Sequence, residues 1–175
     1  MRLIEEQPFF ASHVQHLSDV FYRQIGVTRI GTQSTRRLDA IEDRRATVFA
    51  GVPAMYRMLE EAGAGDRDLK SIRLWISGAD AMPSDLAHRF KKMGASATLP
   101  VIGSLGEAIF AEGYGMVETA GGVAVRVSPP LVPASIGGSV GMPLPGVKFK
   151  VVDDAGEEVA MGGVGELWLS GPGVL

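Results

Sequence analysis

Residues 74–84 read Leu74-Trp75-Ile76-Ser77-Gly78-Ala79-Asp80-Ala81-Met82-Pro83-Ser84. Trp75-Ile76-Ser77 is a short apolar run with the composition of a buried strand, and Gly78 to Pro83 make the loop that ends it. Ser84 has the chemistry of a helix cap, and the helix it opens runs to Met93, with Gly94 as its stop. The same unit stands upstream. Ala46-Thr47-Val48-Phe49-Ala50 reads as a buried strand, Gly51-Val52-Pro53 turns the chain, and Pro53 suits the first turn of a helix over residues 54–62 that stops at Gly63. On that helix Met55, Met58 and Leu59 make the apolar stripe. Before it, Ser34 caps a helix over residues 35–44 with Leu38 and Ile41 turned inward. Residues 35–94 therefore alternate αβαβα, which predicts an α/β fold with a mostly parallel sheet and helical crossovers. In such sheets ligands sit outside the carboxyl ends of the strands, where the Gly78 loop lies.

Further along, residues 97–102 read as a strand, and Ser104-Leu105-Gly106-Glu107 has the capping-box pattern of a short helix or turn. Residues 111–114 read as the next strand, so the stretch after it becomes a second carboxyl-end loop. From Ser128 the texture changes. Pro129, Pro130, Pro133, Pro143 and Pro145 make an irregular connector. Residues 147–152 and 164–169 are β-rich, with turn signals at Asp153-Asp154-Ala155-Gly156 and Met161-Gly162-Gly163, and predict a small antiparallel β lobe. The expected divisions are 1–34, an N-terminal helix and lead-in; 35–127, the α/β subdomain; and 128–175, the connector and the start of a barrel-like β subdomain. In the lead-in, Ser12 and Gln15 cap a helix over residues 12–24, and residues 27–30 form a short strand. His13 and His16 lie three apart on that helix, with no third ligand nearby in sequence, and read as solvated or capping residues.

The net charge of −3 argues against a general nucleic-acid binder. The absence of cysteine removes disulfides, thiolate nucleophiles and Cys-based zinc sites, and points to the cytoplasm. No apolar run is long enough to predict a transmembrane segment. Gly137-Gly138-Ser139-Val140-Gly141 has the spacing of a nucleophile elbow, but the prolines that follow cannot supply the helix that such an elbow feeds.

The stretch with the chemistry of a site is Glu112-Gly113-Tyr114-Gly115-Met116-Val117-Glu118-Thr119-Ala120-Gly121-Gly122. Gly113 and Gly115 offer positive φ and close approach to a ligand. Tyr114 offers a flat ring with a polar tip, and Glu118 a hard oxygen ligand of the kind Mg²⁺ prefers. The plain alternative is a glycine-rich turn around one packed tyrosine.

The order of these residues resembles the Gly-Tyr-Gly-Met-Thr-Glu signature of the adenylate-forming superfamily of acyl-CoA synthetases, luciferases and peptide-synthetase adenylation domains. Ser77-Gly78-Ala79-Asp80-Ala81-Met82-Pro83 resembles the family's adenine loop, and Gly165-Glu166-Leu167-Trp168-Leu169-Ser170-Gly171 its Gly-Glu-Leu strand. The resemblance implies an AMP-forming acid–thiol ligase that uses ATP, Mg²⁺ and coenzyme A on a carboxylic acid. It places Tyr114 against the adenine, within a nucleotide site of Gly113, Tyr114, Gly115, Met116 and Val117. Gly78, Ala79 and Asp80 line the other side of the base, and Glu118 is the catalytic residue that holds the metal. A fatty or other apolar acid is expected: Met55, Trp75 and Val52 are apolar and near the strand ends, which leans toward an acyl or aryl chain, and core packing explains them equally well.

The chain departs from the family pattern at Val117, where the pattern has a threonine whose hydroxyl faces the α-phosphate; Thr119 is the candidate to replace it. The family's Pro-Lys-Gly phosphate loop, its ribose-holding Thr-Gly-Asp and its lysine-bearing domain are not found in these residues. The expectation is the middle of a larger enzyme, with flanking domains as partners and little activity alone. The alternative is a related module that holds a nucleotide or acyl group without turnover.

Overall fold

In the computed structural model, which describes residues 34–131 and 139–174, helix α1 (Ser34–Asp43) buries Leu38 and Ile41, the two positions its spacing turns inward. The expected helix over 12–24, the strand at 27–30 and the His13/His16 pair lie outside the described residues. Strand β1 (Val48–Gly51) follows, then helix α2 (Pro53–Glu61), which begins on its proline and ends where Gly63 turns left-handed at φ 87°. The buried stripe of α2 is Tyr56 and Leu59, not the methionines: Met58 is 43% exposed and Met55 is only partly covered. Tyr56 can go inside because its hydroxyl donates to the Ile76 carbonyl at 2.7 Å, so its polar tip is satisfied while the ring packs.

Strand β2 (Leu74–Gly78) and helix α3 (Ser84–Met93) complete the second unit. Pro83 holds the cap position of α3 in extended conformation and Ser84 is already helical, so the expected serine cap is one residue out. The core lies between these helices and the sheet. Phe49, Tyr56, Trp75, Phe90 and Phe110 meet mostly edge to face, with ring centroids 5.0 to 6.0 Å apart.

Residues expected to open a short helix or turn at Ser104 instead belong to a hairpin of β3 (Ala97–Leu99) and β4 (Gly103–Leu105), a separate two-stranded sheet. The chain reverses at residues 100–102, and Gly103 and Gly106, at φ 85° and 67°, put left-handed backbone on both sides of Ser104, where a helix would need right-handed winding. Strand β5 (Ile109–Met116) then enters the main sheet. It runs longer than the expected 111–114. The next segment, absent from the sequence reading, is strand β6 (Gly121–Ser128), followed by the short β7 (Met142–Pro143).

The main sheet has the order β1-β2-β5-β6-β7. β1, β2 and β5 are parallel, as the αβαβα alternation requires, and β6 and β7 add antiparallel strands at one side. Strands β8 (Lys148–Val152) and β9 (Glu166–Ser170) pair antiparallel as the small lobe read from the sequence. Asp153 shapes the turn between them, its Oδ1 accepting the N–H groups of Ala155 and Glu157 at 2.9 and 3.0 Å.

Candidate functional site

The parallel ladder sets two strand ends side by side. Ser77 stands opposite Glu112 and Gly78 opposite Gly113, so the Gly78 loop and the Tyr114 stretch leave the sheet as neighbours. Ala79 turns the first loop with φ 66°, a left-handed conformation that L residues adopt at a cost. Asp80 steadies it by accepting the Ala81 N–H at 2.8 Å. A side chain at Gly78 would come within 3.2 Å of the Gly113 carbonyl oxygen, so the closeness of the two ends depends on that glycine.

The expected positive φ at Gly113 and Gly115 is not found. Both lie inside β5, and within the stretch the left-handed positions are Ala120 and Gly121. Gly115 is needed for another reason. The β5–β6 register slips between Tyr114 and Gly115, and a Cβ on Gly115 would lie 2.1 Å from the Gly121 carbonyl oxygen. The bulge re-aims the strand end that carries Tyr114.

After Met116 the chain winds through a 3-10 turn, Val117–Thr119. Thr119 is buried, and its hydroxyl is fully engaged. It accepts the Met116 N–H at 3.1 Å and lies within 2.8 Å of the Met116 carbonyl and 2.7 Å of the Gly121 carbonyl, donating to one at a time. The hydroxyl therefore staples the turn and is not free to replace the one missing at Val117. Val117 is 85% exposed, and Glu118 is exposed beside it.

Three spaces meet at Tyr114. The first, about 400 Å³, has Ala79, Asp80 and Ala81 on one wall and Glu112 to Gly115 on the other, with Ser139 and Val140 at its edge. The second, about 770 Å³ and open, spreads over Gly51, Val52, Ile76, Gly78, Gly113 and Val117, with no charged side chain among the described residues that line it. The third, about 400 Å³, joins Glu118 and Tyr114 to Trp168 and Leu169 of β9. Of the residues expected near an acyl chain, Val52 lines the second space. Trp75 does not: it is wholly buried in the aromatic core, and Met55 packs against that core.

Glu112, Ser139, Val140 and Trp168 were missed by the sequence reading. For Glu112 the signal was present. Side chains alternate along a strand, so Glu112 shares the face of Tyr114 once β5 is seen to run through both. Ser139, Val140 and Trp168 come from distant parts of the chain, and the local patterns they sit in do not show that they meet Tyr114.

Among the described residues no group of three His, Cys, Asp or Glu gathers to cage a metal. Glu118 offers a single carboxylate. Mg²⁺ commonly takes one or two carboxylates and completes its shell with phosphate oxygens and water, so this donor set fits a metal that arrives with a nucleotide. Behind the first space, α3 is fastened to α2 by Arg89, which holds Asp85 at 2.8 Å and both oxygens of Glu60. The Arg89 guanidinium keeps the Asp85 carboxyl below the usual carboxylate range. No helix among the described residues is long and apolar enough to cross a membrane.

A family model described as "AMP-binding enzyme" matches residues 23–175. A feruloyl-CoA synthase from Amycolatopsis sp is 34% identical over 139 residues, 79% of this chain and 25% of that protein. A fatty acid–[acyl-carrier-protein] ligase, ScoC, from Streptomyces coeruleorubidus is 36% identical over 138 residues, 77% of this chain and 24% of that protein. The chain thus spans about a quarter of the length of the curated relatives it matches. Among solved structures, ATP-bound MatB from Rhodopseudomonas palustris superposes with a TM-score of 0.59 at 28% identity, over 82% of this chain and 25% of that one. The anthranilate CoA ligase AuaEII in complex with anthranoyl-AMP gives 0.59 at 25% identity, over 81% and 24%.

Proposed function

Because the chain belongs to the AMP-binding enzyme family, we propose that it supplies the adenine and phosphate contacts of a ligase that activates a carboxylic acid with ATP and passes the acyl group to coenzyme A. The observation that carries this reading is the first space. Its walls, Ala79-Asp80-Ala81 and Glu112-Gly113-Tyr114, face each other because Gly78 and Gly113 are ladder partners. A flat base fits between a backbone wall and an aromatic ring, and the ring face adds stacking to burial. ATP-bound and acyl-adenylate-bound neighbours of the same fold support the choice of nucleotide.

In this reading the acid's carboxylate oxygen attacks the α-phosphorus, a P–O bond forms, and pyrophosphate leaves. The thiol of coenzyme A then attacks the acyl carbon, and AMP leaves as the thioester forms. The chain's part is positioning. Tyr114 and the Gly78 loop fix the base, and Glu118 would hold Mg²⁺, whose charge, when bound, offsets that building on the phosphates. Among the described residues no charged side chain lines the second space, which suits the apolar part of an acid, alkyl or aryl. Feruloyl-CoA synthase and the fatty acid ligase among the relatives support that class. The proposed setting is the cytoplasm, and the partners are the acid, ATP, coenzyme A and the rest of a longer enzyme.

The test is titration of the chain with AMP while amide chemical shifts are followed. Shifts concentrated at Gly78, Ala79, Asp80 and Gly113 to Gly115, weaker with GMP and lost in Tyr114→Ala, are expected. Scattered shifts that survive Tyr114→Ala overturn the reading.

A further inference from the structure

We propose that Lys91 is a positioning residue for the nucleotide cleft: its buried ammonium fixes helix α3 against strands β5 and β6, and thereby the gap between the Ala79 wall and Tyr114. This rests on the reading of that cleft as the base site.

Lys91 lies in the last turn of α3 and is 0% exposed. Its Nζ donates to the Ser128 hydroxyl at 2.9 Å and to the Pro129 carbonyl at 2.8 Å, and the Glu107 carboxylate stands 3.6 Å away. Its own carbonyl accepts the Ala108 N–H at 3.0 Å. One residue therefore ties the rear of α3 to the lead-in of β5 and to the end of β6. Taking an ammonium out of water is costly, and an apolar side chain of the same length often serves stability as well or better. What the ammonium adds is direction, since its N–H groups face two separate segments, Ser128-Pro129 at the end of β6 and Glu107 ahead of β5, and so define where the helix sits along and across the sheet.

The front of α3 is the cleft. The helix starts at Ser84, directly after the loop whose Ala79, Asp80 and Ala81 form one wall. Ten residues make a rigid rod about 15 Å long, so a shift at Lys91 is carried to that wall. The opposite wall, Glu112 to Gly115, lies on β5, whose antiparallel partner β6 ends on the Ser128 that Lys91 holds. Both walls are thus referred to one buried cation. A misplacement of about 1 Å in a binding constellation is enough to cost orders of magnitude in rate. Arg89 alone does not supply this restraint, because it fastens α3 to α2 and not to the strands that carry Tyr114.

The test uses the chain with Lys91→Met, which keeps most of the length and removes the donors, with Lys91→Met/Ser128→Ala, and with Ser128→Ala alone in case the first two fail to fold. Three quantities are read: the melting temperature, AMP affinity, and hydrogen exchange of the Leu86 and Ala87 amides in α3 against those of Tyr56 and Leu59 in α2. For Lys91→Met/Ser128→Ala the melting temperature is expected to stay within about 4 °C of the parent's. AMP affinity is expected to fall about tenfold, and exchange to rise in α3 but not α2. Ser128→Ala is expected to show the same pattern more weakly. Unchanged affinity and exchange, or exchange that rises everywhere as it does in the core variant Leu59→Ala, overturn the proposal. If the parent chain itself takes up no AMP, the functional reading fails. The exchange arm then decides alone: loosening confined to α3 supports the positioning role, and any other pattern ends it.

Discussion

A methyl group on Gly115 would sit 2.1 Å from the carbonyl oxygen of Gly121, whereas one on Gly113 would meet no atom closer than the Ser77 carbonyl oxygen at 3.9 Å. Two glycines flanking the same tyrosine thus do different jobs. Gly115 lets the β5–β6 bulge close, and Gly113 leaves open ground beside the cleft.

Gly115→Ala is accordingly expected to cost about 3 kcal/mol or more, because backbone on both strands must move to admit the side chain. Gly113→Ala is expected to change stability by no more than about 0.5 kcal/mol. Urea unfolding of the two variants beside the parent checks this, and equal effects would remove the distinction.

Glu118 is exposed on the 3-10 turn, so Glu118→Gln is expected to leave stability within about 0.5 kcal/mol of the parent. In a full-length ligase carrying this chain, pyrophosphate exchange at saturating Mg²⁺ is expected to drop at least about a hundredfold, some 2.7 kcal/mol of transition-state binding. Retention of half the parental exchange would show that Glu118 does not hold the metal.

Val117 and Thr119 separate in the same way. Val117→Thr adds a hydroxyl at an exposed position on the second space, where the family pattern turns one to the α-phosphate, and is expected to strengthen nucleotide binding by up to about 1.5–3 kcal/mol, the worth of a hydrogen bond to a charged group. Thr119→Val removes the staple of the turn and is expected to destabilise the chain by about 1–3 kcal/mol, because it strands buried backbone partners. Calorimetric titration with AMP and a thermal melt read the two effects; a Val117→Thr variant that binds no better would show that the turn does not face the phosphates.

Burial pushes the Tyr56 phenol well above the ordinary tyrosine range. Below about pH 10 the folded and unfolded chains both keep the proton. Above it the unfolded chain releases the proton first, so stability falls as pH rises. Tyr56→Phe is expected to flatten that alkaline slope while costing about 0.5–1.5 kcal/mol at neutral pH through the lost bond to Ile76. Denaturant unfolding at pH 8, 10 and 11 tests both signs, and an unchanged slope in the variant would place the alkaline loss elsewhere.

The parallel core was legible because its signals are local. Phe49 and Trp75 sit in short apolar runs, each followed by a glycine and proline turn and then a helix start, and alternation of that kind leaves few topologies. Strand β6 was not legible. Gly121 and Gly122 read as loop residues, and only pairing with β5 makes them the start of a strand. The Ser104 pattern misled for a related reason: a capping box describes what a chain end can do, and the left-handed glycines around it decided otherwise. Met58 and Tyr56 traded places because burial of the tyrosine depended on a carbonyl twenty residues away.

The sequence by itself determined the αβαβα order, the two carboxyl-end stretches and the family whose signature they resemble, because turn residues, apolar runs and short motifs act over a few neighbours. Only the tertiary structure decided that Ser139 and Val140 line the first space beside Tyr114, that the Thr119 hydroxyl is engaged while Val117 is bare, and that Lys91 is buried against Ser128 and Pro129. Each of these depends on which segments meet across the sheet, and pairing between residues dozens of positions apart is set by the packing of the whole chain rather than by any window within it.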